Sequence, residues 1–252
     1  AIGVGQYQHD VSQLQLAATL DNVIEDEMSR VRALRPLNDL IKAYPGGISD
    51  ERLIKDDWRV VGVMSTVETW HLMYRRDILE AAGIPAPKSY GEMLRVSAQL
   101  HAVNVIETPL AVALEPGDDM AQTFIDVYLG MGGTLFLDGF DASIYNPRGV
   151  ATLEMMKALS GYMNADYLTH DSNGTQAEWE AGNVALMNMW GSRMQNLMDD
   201  EGSEPVVYEN TKVSGPLMVG DSGVPATTLW WDGWTVAKNV SDEDAAATFQ
   251  AL

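Results

Sequence analysis

An α/β fold is predicted by three observations. Helix-start signals recur along the chain, short apolar runs of strand length lie between them, and the two kinds of segment alternate from the middle of the chain onward. The first strand candidates are Arg59 to Val63 and Thr69 to Tyr74. Ser89-Tyr90-Gly91-Glu92 follows, a capping box in which the Ser hydroxyl and the Glu carboxylate satisfy backbone donors of a first helical turn. Behind it Met93, Val96, Leu100 and Val103 recur at helical spacing and predict one buried face. Val105 to Leu114 reads as a strand. Asn146-Pro147 places a good cap before a proline tolerated at the first helical position, and Val150, Leu153, Met156, Leu159 and Met163 continue as an apolar stripe. Thr175-Gln176-Ala177-Glu178 is a second capping box, opening a short helix that Gly182 closes, and Val184 to Met189 then reads as a buried strand. Lys212 to Met218 and Thr227 to Ala237 complete the strands. Ser241-Asp242-Glu243-Asp244 caps a last helix and puts acids at the positive end of its dipole.

The 252 residues suffice for one large domain or two small ones, and 46% hydrophobic with 21% charged residues is ordinary for a packed soluble fold. Thirty-six acidic against 16 basic residues give a formal charge of -20, which repels nucleic-acid phosphates and anionic lipid, so neither is expected as a partner. Acidic runs such as Glu25-Asp26-Glu27 and Asp199-Asp200-Glu201 fit a solvated surface, either in saline surroundings or simply an acidic one. The absence of Cys excludes disulfides, thiolate metal sites and cysteine nucleophiles. No run approaches the roughly 18 apolar residues of a membrane span, and no basic segment leads into an apolar run at the N-terminus. The chain is therefore expected to begin downstream of any signal peptide. Because it stops within the apolar face of the last helix, truncation is expected at that end too.

No catalytic constellation emerges. His9, His71, His101 and His170 are isolated from one another, with none at the spacing by which a helix face holds a metal, so neither metal nor cofactor is expected. Gly130-Met131-Gly132-Gly133 lacks the spacing of a nucleotide fingerprint and reads as a helix end followed by a turn. Abundant carboxylates leave open a carbohydrate-active hydrolase built on a carboxylate pair, an alternative that sequence cannot weigh because it measures no separations. The Trp residues say more. Trp70, Trp190, Trp230, Trp231 and Trp234 lie on or beside strand ends next to polar or small residues, whereas Trp58 and Trp179 are expected in the core. A sugar presents apolar C–H faces and a rim of hydroxyls, which aromatic platforms with carboxylate acceptors complement.

Several segments resemble, in order, the extracellular solute-binding proteins of the sugar-importing class, relatives of maltose-binding protein. Arg35-Pro36-Leu37-Asn38-Asp39-Leu40-Ile41 is similar to the family's L-x-P-L-D-D-x-I segment. Glu68 to Leu79 with Ala82-Gly83-Ile84-Pro85-Ala86-Pro87-Lys88-Ser89-Tyr90-Gly91-Glu92 resembles its Y-N-K-D-L-F-x-K-A-G-I-x-x-P-K-T-W-D-E signature, with Arg75-Arg76 in place of Asn-Lys. Gly130-Met131-Gly132-Gly133 with Asn146-Pro147, Glu180 to Trp190, and Gly233-Trp234 complete the match. The resemblance implies a periplasmic-binding-protein-like fold of two α/β lobes joined by a hinge and truncated at both ends, with residues 1–68 and 232–252 in the first lobe and 69–231 in the second. It implies a monomeric, non-enzymatic carrier, periplasmic or extracellular and compatible with a lipid anchor, that captures a sugar or polyol and delivers it to the membrane permease of an ABC transporter. The ligand-binding residues it implies are Glu68, Trp70, Glu115, Asp118, Asp119, Trp190, Trp231 and Asp232. Gly117 departs from an aromatic found in some relatives, so the resemblance does not imply a second stacking platform on that loop.

Overall fold

The computed structural model describes the backbone of residues 16–20 and residues 33–137, 141–220, 225 and 227–251. His9 and the Glu25-Asp26-Glu27 run lie outside the described residues. In chain order the elements are β1 (Leu16–Leu20), α1 (Asn38–Ala43), β2 (Leu53–Asp56), β3 (Arg59–Arg75), α2 (Arg76–Ala82), α3 (Tyr90–Ala102), β4 (Leu110–Val112), α4 (Asp118–Gly130), α5 (Pro147–Ser160), α6 (Ser172–Glu180), β5 (Leu186–Trp190), α7 (Met194–Met198), α8 (Pro205–Tyr208), β6 (Thr211–Val213), β7 (Leu229–Val236) and α9 (Asp242–Gln250). The chain divides into two compact units, residues 1–68 with 229–252 and residues 69–228. Residues 229–231, which the sequence assigned to the second lobe, fall in unit 1 because β7 already begins at Leu229.

In unit 1, β1 runs antiparallel to β7, with Leu16 opposite Val236, and β2 forms an antiparallel hairpin with β3, with Leu53 opposite Val63. Leu34, Leu37, Ile54, Val61, Val236 and Phe249 form its apolar core. Gly233 allows a close approach where β7 meets β3: a Cβ there would lie 2.5 Å from Ile54 Cδ1, which would have to shift, and a tight 3.1 Å from the Val63 carbonyl oxygen. The two strands expected at Arg59 to Val63 and Thr69 to Tyr74 are one strand of 17 residues, since the intervening Ser65-Thr66-Val67-Glu68 holds β-branched residues and no Gly or Pro to break pairing. Trp58 is not a core residue as expected but 71% exposed. Asp57 adopts φ +57 to turn the β2–β3 hairpin, and Asn38 Nδ2 donates to the Trp58 carbonyl at 3.1 Å, which fixes that backbone while the side chain stays in solvent.

In unit 2, β5 lies antiparallel to β3 and parallel to β4, and β6 pairs with β3. Leu72, Met93, Val96, Leu110, Trp179 and Met187 are among its buried core residues. The strand expected over Val105 to Leu114 shortens to β4, because Asn104 takes a left-handed turn and Pro109 supplies no ladder donor.

The α3 capping box forms, displaced by one residue. Ser89 Oγ accepts the Glu92 N–H at 3.2 Å, while Glu92 Oε2 accepts the N–H of Lys88 at 2.8 Å. Val103, expected on the buried face, is 64% exposed because the helix has ended one residue before it. Ser89→Ala is expected to lower stability by about 1 kcal/mol, read as a lower urea midpoint with an unchanged slope.

At α5, Asn146 Oδ1 accepts the N–H groups of Arg148 and Gly149 at 2.8 and 3.1 Å, as expected of the cap. The predicted stripe is rotated at its start: Val150 and Leu153 are exposed, and Gly149, Thr152, Met156 and Leu159 face inward. Gly149 sets that face, for a Cβ there would come within 2.0 Å of the Ile144 carbonyl oxygen.

Helix α6 starts three residues before the expected box. Asp171 is its cap, accepting from Asn173 and Gly174 at 2.9 and 2.7 Å, and Thr175 is buried with its hydroxyl on the Asp171 carbonyl at 2.8 Å. The Gly174 N–H, against the cost of burial and helped by Asn173 and Arg193, holds the Asp171 carboxyl below the usual carboxylate range. Gly182 closes this helix in the left-handed conformation, and Ser241 caps α9, both as expected.

Candidate functional site

The predicted site residues fall into two groups by unit. Unit 2 holds Trp70, Glu115, Asp118, Asp119 and Trp190, and unit 1 holds Glu68, Trp231 and Asp232. The firmest geometry is on unit 2, where β3 and β5 place Trp70 directly opposite Trp190 in the ladder. Their rings meet edge to face, with centroids 5.3 Å apart and planes at 71°.

The two indoles have different surroundings. Trp70 is 1% exposed and belongs to the core, so it offers no stacking platform, in contrast to the expectation. Its backbone N–H donates to Thr227 Oγ1 at 3.0 Å. Trp190 ends β5 and is half-buried. It is packed against the Trp70 ring and keeps an accessible part, which is what a stacking surface needs.

Of the acidic residues in unit 2, Glu115 and Asp118 are exposed, on the loop before α4 and in its first turn. The Glu115 and Leu114 N–H groups both donate to the His170 carbonyl, at 3.1 and 3.2 Å, so this loop is anchored even though its carboxylates face solvent. Asp119 has a structural duty instead: it accepts from the N–H and hydroxyl of Ser172 at 3.1 and 3.0 Å and ties α4 to the start of α6.

In unit 1, Glu68 is half-buried on β3, and Trp231 packs partly against the apolar core. Asp232 Oδ1 accepts the Trp230 indole N–H at 3.4 Å, and its carbonyl accepts the Ser65 hydroxyl at 3.2 Å.

The three described histidines have ordinary structural partners. His71 lies 3.0 Å from Thr69 Oγ1 and 3.2 Å from the Ser214 carbonyl, His101 Nδ1 lies 2.7 Å from the Glu107 carbonyl, and His170 Nε2 lies 3.3 Å from Asp166. Among the described residues no group of three or more His, Asp or Glu is placed to hold a metal ion, and no described helix is long and apolar enough to cross a membrane. The Gly130 to Gly133 segment is the end of α4 and its turn, with Gly132 at φ +77 and Gly133 packed so closely on Tyr128 that a Cβ would lie 2.4 Å from the ring.

Sequence reasoning missed a buried polar cluster in unit 2. Asp126 on α4 is 1% exposed and accepts the Thr228 hydroxyl at 2.6 Å. Asn188 on β5, also buried, donates to the Tyr90 hydroxyl at 3.1 Å. Burial pushes the Asp126 carboxyl up to about 6, against the pull of Thr228, and burial followed by the charge of Asp126 makes Tyr90 hold its proton more tightly. In the sequence the cluster shows only as a single carboxylate in Phe124-Ile125-Asp126-Val127-Tyr128 and a single amide in Leu186-Met187-Asn188-Met189, neither of which names its partner.

A family model for the bacterial extracellular solute-binding protein matches residues 5–250. Among solved structures, the maltose-bound MalE3 of T. maritima aligns with a TM-score of 0.85 at 20% identity, over 98% of this chain and 63% of that one. A ribitol complex of an ABC transporter solute-binding protein from Agrobacterium radiobacter K84 aligns at 0.82 and 17% identity, over 98% and 64%. A D-mannitol complex from Agrobacterium vitis S4 aligns at 0.80 and 14%, over 97% and 61%. The chain thus spans somewhat under two thirds of the length of these proteins and shares their fold. A stretch of 31 residues is 68% identical to Protein YhgF of Escherichia coli (strain K12), covering 12% of this chain and 4% of that protein, too short a match to bear on the fold.

Proposed function

Because the chain belongs to the bacterial extracellular solute-binding protein family, we propose that it captures a neutral sugar or polyol, with Trp190 as the surface on which the ligand stacks. The observation that carries this reading is the braced indole: Trp190 is half-buried at a strand end and held edge-on by Trp70 at 5.3 Å. A rigid aromatic face takes up the C–H face of a sugar ring or polyol chain at little entropic cost, while acceptors around it take the hydroxyls. Glu115 and Asp118 are the proposed acceptors from unit 2, and Glu68, Trp231 and Asp232 the proposed contribution of unit 1. Trp70 acts through Trp190 rather than on the ligand, and Asp119 is committed to Ser172.

Maltose, ribitol and D-mannitol, the ligands of the structures with the same fold, set the chemical range of the proposal. A net charge of -20 favours neutral cargo over anionic cargo. In this reading the ligand-bound form, selected by its additional contacts, docks as a monomer on the permease of an ABC importer outside the cytoplasmic membrane. The protein releases its ligand unchanged.

Calorimetric titration with maltose, ribitol, D-mannitol and glycerol phosphate tests this proposal. Saturable binding of at least one neutral compound, recovered intact and bound in preference to the phosphate, is expected. Absence of heat with every neutral compound, or the appearance of new reducing ends, would overturn it.

A further inference from the structure

The chain leaves unit 2 at Thr228 and enters β7 at Leu229, three residues before Asp232. Two hydrogen bonds hold this exit. Thr227 Oγ1 accepts the backbone N–H of Trp70 at 3.0 Å, and the Thr228 hydroxyl donates to Asp126 Oδ1 at 2.6 Å. A distance that short is characteristic of a hydroxyl on a charged carboxylate. The backbone N–H of Thr228 also favours the charged form of the same carboxyl group.

The other groups facing Asp126 carry no positive charge. Tyr90 faces it from α3, with Asn188 of β5 bonded to the Tyr90 hydroxyl, and Thr123 lies one turn earlier on α4. Among the described residues no ion pair involves Asp126, and its Oδ2 is buried without a hydrogen-bond partner. Thr228 is thus the main support of a buried negative charge.

We propose that Asp126 is a positioning residue for binding: as a carboxylate it fixes Thr228, and with it the start of the strand carrying Trp231 and Asp232, and protonation releases that hold. The binding role rests on the function proposed above. The sign follows from the two influences on the carboxyl group. Burial raises its pKa and the Thr228 donors lower it, with burial the larger, leaving it at about 6. In this proposal Tyr90, Thr123 and Asn188, each buried, keep the carboxyl group enclosed when Thr228 moves away, whereas the donors are lost. The proton therefore binds more tightly to the released form, and mild acid favours release.

The test uses the full chain, its Asp126→Asn, Thr228→Val and Thr228→Ser variants, and whichever of maltose, ribitol or D-mannitol binds. Dissociation constants are measured at pH 7.5 and pH 5, and hydrogen exchange of the Thr228 amide is followed without ligand and corrected for intrinsic rates. The wild type is expected to weaken by about fivefold or more between pH 7.5 and pH 5, with Thr228 protection falling in parallel, since a charged acceptor is roughly twice as strong as a neutral one. Asp126→Asn and Thr228→Val are expected to resemble the acid form at both pH values, and Thr228→Ser, which keeps the hydroxyl, to retain the pH step. An identical pH step in wild type and Asp126→Asn would overturn the proposal, as would Thr228 protection that ignores pH. If none of the three compounds binds, the binding role falls with the proposed function, and the exchange measurement still decides whether Asp126 holds Thr228.

Discussion

Trp190→Ala is expected to weaken sugar or polyol binding by about 2 kcal/mol, roughly 30-fold, from the lost apolar contact and face interaction. Trp190 sits at the end of β5 and is only half-buried, so its removal trims one edge of the unit 2 core and leaves the ladder intact. Calorimetry at matched folded fraction separates the two effects. Trp190→Phe retains an aromatic face and is expected to lie within about threefold of the wild type. Equal affinity in the alanine variant would remove Trp190 from the site.

A larger loss of stability is expected at Trp179. This side chain on α6 is fully buried, and its indole N–H donates to Thr211 Oγ1 at 3.0 Å, while the Thr211 hydroxyl donates to the Val207 carbonyl at 2.9 Å. One residue thereby joins α6, β6 and α8. Trp179→Ala is expected to cost about 3–5 kcal/mol through the cavity it leaves, and Trp179→Phe about 1–2 kcal/mol through the lost hydrogen bond and volume. Urea unfolding followed by far-UV circular dichroism reads both. A cost below 1 kcal/mol for the alanine variant would show that the site collapses around the gap.

The same tryptophan shows what was legible in the sequence. The sequence pattern predicts both Trp179 and Trp58 in the core, and only Trp179 is buried. Trp179 lies on a helix face that must pack, whereas Trp58 follows a left-handed Asp57 in a hairpin turn, a conformation its own side chain does not announce. The caps at Ser89, Asn146 and Ser241 were readable because capping depends on a few adjacent residues. The register of the stripe on α5 was not. It depends on Gly149 meeting the Ile144 carbonyl, a contact made only once the loop before the helix has folded back. Likewise Asp171 displaced Thr175 as the cap of α6, a competition between two plausible caps that local pattern does not rank.

The family was legible because its segments occur in order along the chain, and the family model covers residues 5–250 accordingly. Individual site residues were less so. Trp70 carried the same signal as Trp190, an indole at a strand end, yet the ladder buries one and leaves the other accessible. Asp119 looked like a hydroxyl acceptor and is occupied by Ser172. The Asp126 cluster was overlooked because a lone acid in an apolar helical run is indistinguishable, without its partners, from a solvated residue.

A crystal structure of the chain with its tightest neutral ligand tests the central claim most directly. The predicted result is a sugar or polyol lying flat on the accessible part of the Trp190 indole, with carbon atoms about 3.5–4.0 Å from the ring. A ligand bound elsewhere with the Trp190 ring untouched would contradict it.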